Sequence, residues 1–530
     1  MSQTPYIDIL EEVSNNKLSK LEIDEFLKTG RNSKVEALVK MTLNNSETSS
    51  GIELIDPLIQ KIIIQKIQGD YYDTKIKLFP FLDDEIILSF LSKGLITNLF
   101  IEDFFQKVRS SIAGKFANSL IINPDDYQQS IPILIAIANQ CFRNEYIWEI
   151  NKEDKKNLKL IVNKIENIIK NNDKIPYPFI LILASFQSLN LYKNLTNHIN
   201  LNINNYHIVS DIIEKQILDF KEESKIKKTI KGITKIEDSV SIKVRDQYEK
   251  NPYPRWLSVP KSKNNKTYLE YINDSLFKKI NKKEINHIAN ILVAGCGTGK
   301  HPVMLAAMDK DIKITAIDIS KTSLAYGKRM AEKLNISNIS WAQADILKLD
   351  DIKKKFDAIE SIGVIHHMKD PKKGFEYLSR RLKKNGLIKL GLYSRYFRQG
   401  RLNKIKEYIL KKKLPQEIES VRKIRKYVFE NLKNPDYLPL SRMPDYYSTS
   451  SFRDLLMHYQ ELDFTIPEIQ EMIEDKYKFI GFTFSNQKFE NYIKKFPNDK
   501  FLNNLNNWNT YEKENPDFFA GMYQFWLQKK

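Results

Sequence analysis

Gly295, Gly297 and Gly299, in the run Ile291–Lys300 (ILVAGCGTGK), are the residues whose types and spacing speak most directly of chemistry. They end an apolar stretch, and Asp318 stands at the close of the next one (Ile317-Asp318-Ile319). Glycines let a strand turn sharply into a helix and let backbone approach a nucleoside. A carboxylate at the tip of the following strand can accept hydrogen bonds from both ribose hydroxyls. The spacing is G-x-G-x-G, whereas dinucleotide sites use G-x-G-x-x-G. His301 follows Gly299-Lys300, where a triphosphate loop needs Ser or Thr to hold magnesium. A nucleoside ligand without a polyphosphate is the reading left.

Further candidates lie at the ends of later apolar runs. Asp345-Ile346 closes Ile339–Gln343, and Gly363-Val364-Ile365-His366-His367 follows Phe356–Ile362. Adjacent histidines cannot easily share one metal ion, and no third ligand stands at a suitable spacing, so no metal is expected. One histidine can pack on the sheet while the other lines a pocket, as a base or as wall. Cys296 sits inside the glycine turn, where a small side chain fits, and is read as packing rather than as a nucleophile. Ahead of the first run lies Gln247–Trp256 (QYEKNPYPRW). Its aromatics, arginine and two prolines suit a rigid segment with stacking and charged groups, either a lid over the ligand or a hinge.

These residues need a frame. Ile291–Ala294, Ile317, Ile339–Gln343, Phe356–Ile362 and Gly386–Tyr393 read as five strands alternating with helical stretches. That alternation predicts a parallel sheet with ligands at the carboxyl ends of its strands. Lys478–Phe484 and Met522–Leu527 alternate like strands. Residues 1 to about 220 carry helical patterning, with Asp83-Asp84-Glu85 as an N-cap and acidic first turn and Gly94 as a stop. The charged, thinly apolar stretch Lys221–Ser241 marks a boundary.

The order of glycine turn, Asp318, Asp345 and the strand-four end resembles the class I S-adenosylmethionine-dependent methyltransferases. The resemblance implies an α/β, Rossmann-like class I methyltransferase domain with a helical N-terminal domain and a helical insertion after strand five, its sheet finished by Lys478–Phe484 and Met522–Leu527 as an antiparallel pair. The expected divisions are 1–235 (helical), 246–394 (cofactor-binding core), 395–460 (insertion for substrate or dimerisation) and 461–530 (completion of the sheet). S-adenosyl-L-methionine is the implied cofactor. Gly295, Cys296, Gly297 and Gly299 would serve its methionine and ribose, and Asp318 and Ile319 the ribose hydroxyls. Asp345 would take the adenine amino group, Ile346 the adenine face, and Gly363 and Val364 would complete the site. The family often has an acid just before the first glycine; here it is Ala294, so the methionine ammonium needs backbone carbonyls or a residue from another segment. The strand-four end lacks Asn/Asp-Pro-Pro-aromatic, which argues against glutamine and nucleobase amino groups as acceptors.

Methyl transfer is an in-line displacement at an activated sulfonium carbon, so alignment matters more than strong chemistry. A lysine acceptor, with a pKa of ~10.4, must also be favoured in its neutral form. Desolvation, with Tyr248, Tyr253 or Tyr393 accepting a hydrogen bond, could do this, and His366 is the candidate base. QYEKNPYPRW, AGCGTGKH, GVIHHM, DYYSTSSFRDLLMHYQELDFTIPEI and NPDFFAGMYQFW together resemble the rickettsial protein lysine methyltransferases acting on outer membrane protein B. That resemblance implies Nε-methylation of many lysines on a large surface protein, an open substrate cavity and a homodimer. Arg255, Trp256, His367, Tyr446 and Tyr447 would meet the substrate, and length leans toward the trimethylating branch. The alternatives are a small-molecule or RNA methyltransferase, and a non-catalytic helical scaffold with a vestigial cofactor site.

Composition fits a cytoplasmic protein. The net charge is +18, but the lysines are scattered among acids, which reads as solvated surface rather than a nucleic-acid patch. No apolar run approaches the ~18 residues that span a bilayer, so no membrane insertion is expected. MSQTPYIDILEEV lacks the basic and apolar regions of a secretory signal. Cys141 and Cys296 are the two cysteines, giving no disulfide framework and suiting a reducing compartment.

Overall fold

The computed structural model describes residues 25–26, 28–29, 33–45, 49–72, 84–119, 128–257, 259, 266–285, 287–473, 476–484, 489–519 and 521–530. The stretch MSQTPYIDILEEV and Asp83 lie outside the described residues. The chain divides into two compact units, residues 1–221 with 415–452, and residues 222–414 with 453–530.

The first unit is helical. Asp84 accepts from Ile86 N and Ile87 N and so caps Glu85–Lys93, which stops at Gly94. Asn151 and Asp154 form a capping box on Lys152–Lys170. Tyr177–Phe186 is buried at every position, as an all-apolar helix must be. Residues 415–452 belong here, so the stretch 395–460, read from the sequence as one insertion, is shared between the units. The physical reason is a buried ion pair. From Ile418–Glu430, Arg425 Nη2 lies 2.9 Å from both carboxylate oxygens of Glu102, each residue being nearly sealed from solvent.

The second unit is built on one seven-stranded sheet in the order β3-β2-β1-β4-β5-β7-β6. The strands are β1 (Asn290–Ala294), β2 (Lys313–Asp318), β3 (Ile339–Gln343), β4 (Phe356–Ile362), β5 (Leu382–Tyr393), β6 (Tyr477–Phe482) and β7 (Met522–Lys529). The first five pair in parallel, while β7 pairs antiparallel with β5 and β6. The expected closing pair is thus present, with the last strand inserted beside β5. β1 is a near-continuous apolar run because both its faces are covered, and β4 is buried up to Ile362 although it carries Asp357, Glu360 and Ser361. One face packs with α1 (Tyr268–Asp274), α2 (Lys300–Met308) and α3 (Lys321–Lys333), and the other with α4 (Pro371–Arg381) and the C-terminal helices. Chain order reverses between β1 and β4, which places a ligand crevice at their carboxyl ends.

Register aligns a row across five strands: Ala316, Val293, Glu360, Lys389 and Trp526. Three of these are buried apolar residues of the core on that face. Glu360 and Lys389 are the exceptions. Among the described residues, no helix is long and apolar enough to cross a membrane.

Candidate cofactor and acceptor site

A cavity of about 540 Å³ opens at the carboxyl ends of β1, β2 and β4. Its floor is the glycine turn, clamped to β2 by Gly295 N and Cys296 N donating to Ile317 O at 2.8 and 3.0 Å. Gly297 has φ +53°, and a Cβ there would sit 2.7 Å from Tyr253 O, so neither conformation nor space admits a side chain. Gly297 N and Ser320 N donate to Asp318 Oδ2 and Oδ1 at 2.8 and 2.9 Å. Burial pushes the Asp318 carboxyl up to about 6 in spite of these donors. Asp345 Oδ1 accepts from Leu347 N at 2.9 Å, while Oδ2 is buried without a hydrogen-bond partner. Burial also holds this carboxyl above its ordinary range.

At the other side of the cavity stand Tyr248, His367, Tyr393 and Asp454. Tyr248 Oη lies 2.9 Å from Asp454 Oδ1 and 3.1 Å from His458 Nε2, and Tyr393 Oη donates to Asp454 Oδ2 at 3.4 Å. Gln460 N donates to His458 Nδ1 at 3.2 Å, so the proton of the neutral ring is on Nε2. The order of donation is then His458 to Tyr248 to Asp454. His367 Nδ1 lies 2.8 Å from Gln460 O and must donate to it. That leaves His367 Nε2 as acceptor for His366 Nε2 at 3.1 Å.

Burial sets the protonation of this cluster. It holds His367 and His458 down to about 4, and keeps the Tyr248 and Tyr393 hydroxyls well above their ordinary value. It also raises the Asp454 carboxyl. His367, Asp454 and His458 bring potential metal-ligand atoms within 4.8 Å of one another. The tautomers just derived use His458 Nε2 as a donor to Tyr248, which in turn donates to Asp454, while His367 bonds Gln460 O and His366 instead. Behind them Arg398 stacks over the Tyr393 ring at 3.8 Å and donates to both oxygens of Glu461 at 2.7 Å.

A second polar group faces the cavity from the apolar side of the sheet. Glu360 is fully buried; its Oε1 accepts from Tyr268 Oη at 2.7 Å and its Oε2 meets His301 Nε2 at 2.9 Å. Lys389, also buried, donates to Tyr271 Oη at 3.3 Å.

The residues singled out in the sequence separate into two groups. Gly295, Cys296, Gly297, Asp318 and Ile319 line the cavity, as do Asp345, Ile346, Gly363 and Val364. Tyr248, Tyr253, His367 and Tyr393 line it as well. Burial holds the Cys296 thiol well above its ordinary value, consistent with packing. Gly299, Arg255, Trp256, His366, Tyr446 and Tyr447 are not in its lining. Gly299 serves as the left-handed N-cap of α2. Trp256 is buried beside Tyr326 and Met330, with its Nε1–H donated to Thr298 O at 2.9 Å, so it anchors the segment to the glycine turn. His366 is fully buried against Tyr393, behind His367. Tyr446 and Tyr447 belong to the first unit, where their hydroxyls donate to Arg425 O at 3.0 Å and Ser441 O at 2.6 Å.

Sequence reasoning missed Asp454, His458, Glu360, His301 and Lys389. Asp454 lies in the helix Thr449–Leu456 and His458 two residues beyond its end, and their four-residue spacing was available as a signal of proximity.

The lining fits an S-adenosylmethionine-sized nucleoside. The glycine cradle admits close approach, Asp318 is at the tip of β2, and the unpaired Asp345 Oδ2 asks for a donor such as an adenine amino group. Residues 285–442 match the family model described as a methyltransferase domain. An uncharacterized protein of Synechococcus sp. is 27% identical over 205 residues, which is 36% of this chain and 48% of that protein. A probable (S)-tetrahydroprotoberberine N-methyltransferase of Papaver bracteatum is 29% identical over 107 residues, 20% of this chain and 30% of that protein. The chain therefore spans about half or less of the length of these relatives. Among solved structures, PKMT2 from Rickettsia typhi aligns with a TM-score of 0.38 and 19% identity over 50% of this chain and 52% of that one. The second unit carries a Rossmann-like methyltransferase domain, and its cofactor is S-adenosylmethionine.

Proposed function

We propose that the chain is an S-adenosylmethionine-dependent methyltransferase acting on lysine Nε of protein substrates. The observation that carries this reading is the buried Asp454 carboxylate, bonded by Tyr248 and Tyr393, in the lining of the same cavity as the glycine turn. When bound, the cofactor supplies an electrophilic methyl group. The protein's own residues have the remaining tasks. Asp454 pairs with an incoming ammonium and draws it into a desolvated site. There the ammonium passes a proton to the Asp454 carboxylate, whose basicity burial raises, and both buried charges are neutralised by the transfer. Tyr248 and Tyr393 accept hydrogen bonds from the amine, and the neutral imidazoles of His367 and His458 hold the ring of hydroxyls in place without adding a repelling charge.

The finer reading follows the motifs of the rickettsial lysine methyltransferases. It comprises many lysines of a lysine-rich surface protein of the outer membrane protein B type, carried to trimethyllysine by a cytoplasmic homodimer. A small-molecule amine is the second reading. It is favoured by a cavity within the ~300–1,000 Å³ usual for small ligands and by the plant N-methyltransferase among the relatives. One experiment tests both. The full chain is incubated with S-adenosylmethionine and, in parallel, a lysine-rich surface protein, lysine peptides and a panel of small amines, with mass spectrometric mapping. Methyl increments on lysines support the proposal. Turnover of small amines alone replaces it with the second reading.

A further inference from the structure

The row Ala316, Val293, Glu360, Lys389, Trp526 places an acid and a base side by side in an otherwise apolar face of the sheet. Burying charges costs several kcal/mol per ion unless they are paired and hydrogen-bonded, so their position calls for a reason. Sealing the core is a poor one, because both side chains border the cavity, together with Tyr271, His301 and Gln524. Neither exhausts its capacity within the protein. A carboxylate offers about four lone-pair sites and an ammonium three donors. Glu360 meets one hydroxyl and one imidazole, and Lys389 is given one hydrogen bond, to Tyr271. Gly295, Gly297 and Asp318 line the same cavity as this pair.

The residue before the first glycine is Ala294, which packs in the core on the opposite face of the sheet. On β1 it is Val293 that pairs in register with Glu360. A zwitterion is a ligand whose two opposite charges would match an acid and a base on neighbouring strands. We propose that Glu360 and Lys389 seat the α-amino-acid head of the cofactor, Glu360 taking its ammonium and Lys389 its carboxylate. The proposal rests on the cofactor assignment and is independent of which acceptor is methylated. Burial works to raise the Glu360 carboxyl, but His301, Lys389 and the Tyr268 hydroxyl outweigh it and hold the acid below its ordinary value, ready for a cation. Burial lowers Lys389, and an incoming carboxylate would favour its charged form.

The test uses the full chain and two ligands, read by calorimetry. S-adenosylhomocysteine carries the amino-acid head; 5′-methylthioadenosine has the same nucleoside and sulfur without it. Glu360→Gln and Lys389→Met are each expected to weaken S-adenosylhomocysteine by about 10-fold or more, the weight of a charge-assisted hydrogen bond, while leaving methylthioadenosine within about twofold. Equal losses for both ligands, or none for either, would overturn the proposal. A comparison in the unaltered protein needs no variant to fold: S-adenosylhomocysteine should bind well above its analogue lacking the α-amino group, and equal affinity overturns the role of Glu360. An unaltered protein that binds neither nucleoside overturns the cofactor assignment, and this proposal with it.

Discussion

Asp318 offers the sharpest quantitative test of the nucleoside site. Its carboxyl is pushed by burial from 3.8 up to about 6, although Gly297 N and Ser320 N donate to it. Ribose hydroxyls donate hydrogen bonds, so the ligand prefers the ionised acid. The sign follows. Below about pH 6 the free protein carries a proton on Asp318 that binding must expel, and affinity falls as the pH falls. At pH 5, one unit below, about a tenth of the molecules are ionised, so the apparent Kd should weaken about 10-fold, or ~1.4 kcal/mol. Between pH 7 and 8 it should be flat. 5′-Methylthioadenosine is the ligand of choice because it has no amino-acid head to titrate. Calorimetry at pH 5, 6, 7 and 8 should show the slope in the unaltered chain and in Asp345→Asn, which removes the other acid raised by burial. Asp318→Asn should bind weakly at every pH with no slope. An affinity that is constant from pH 5 to 8, or a slope that survives in Asp318→Asn, refutes the reasoning.

Other expectations follow from the same geometry. Gly297→Val should abolish measurable cofactor binding, since its Cβ would meet Tyr253 O at 2.7 Å in a left-handed backbone; normal calorimetric affinity would remove the glycine turn from the site. Asp454→Asn should lower kcat by ~10²-fold or more, the range of a lost proton acceptor, with S-adenosylhomocysteine affinity unchanged. Tyr248→Phe should slow turnover and spare cofactor affinity, because it leaves His458 Nε2 and Asp454 Oδ1 without their shared partner; unchanged kcat would make the tyrosine wall only. Arg425→Ala should destabilise the first unit by ~3–5 kcal/mol, the cost of an uncompensated buried charge, visible as an early melting transition. A fragment beginning at residue 236 keeps Arg425 without Glu102, and should aggregate unless residues 415–452 are also replaced by a short linker.

The glycine turn, Asp318, Asp345 and the strand order were legible in the sequence because each is local. A strand that ends in G-x-G-x-G or in an acid says so within a few residues. The two closing strands were legible from alternation, and their antiparallel pairing from the family resemblance. Asp454 and His458 were not, because they meet Tyr248 only after the chain has passed through β5 and the whole of 415–452. Glu360 and Lys389 left a readable mark, an acid and a base deep inside two strands of the sheet. Trp256 looked like a lid residue by proximity to Tyr248 and Tyr253, yet its indole N–H is already bonded to Thr298 O. Tyr446 and Tyr447 share the aromatic character of a substrate wall, and only tertiary structure shows their hydroxyls turned inward on Arg425 O and Ser441 O.

The assignment of residues 415–452 to the first unit has a consequence for how the protein is made. A ribosome delivers the chain from residue 1, at about 5–20 residues per second. Glu102 therefore emerges long before Arg425, and the helical unit waits on the order of 10–60 s for the segment that neutralises its buried acid. Throughout that interval the nascent helices hold an unpaired carboxylate and an open apolar face, while the strands of the other unit are already appearing behind them. Such a species is a natural client for a chaperone, and its yield in a cell should respond to the speed of translation between residues 222 and 452 more than to any change in the finished fold.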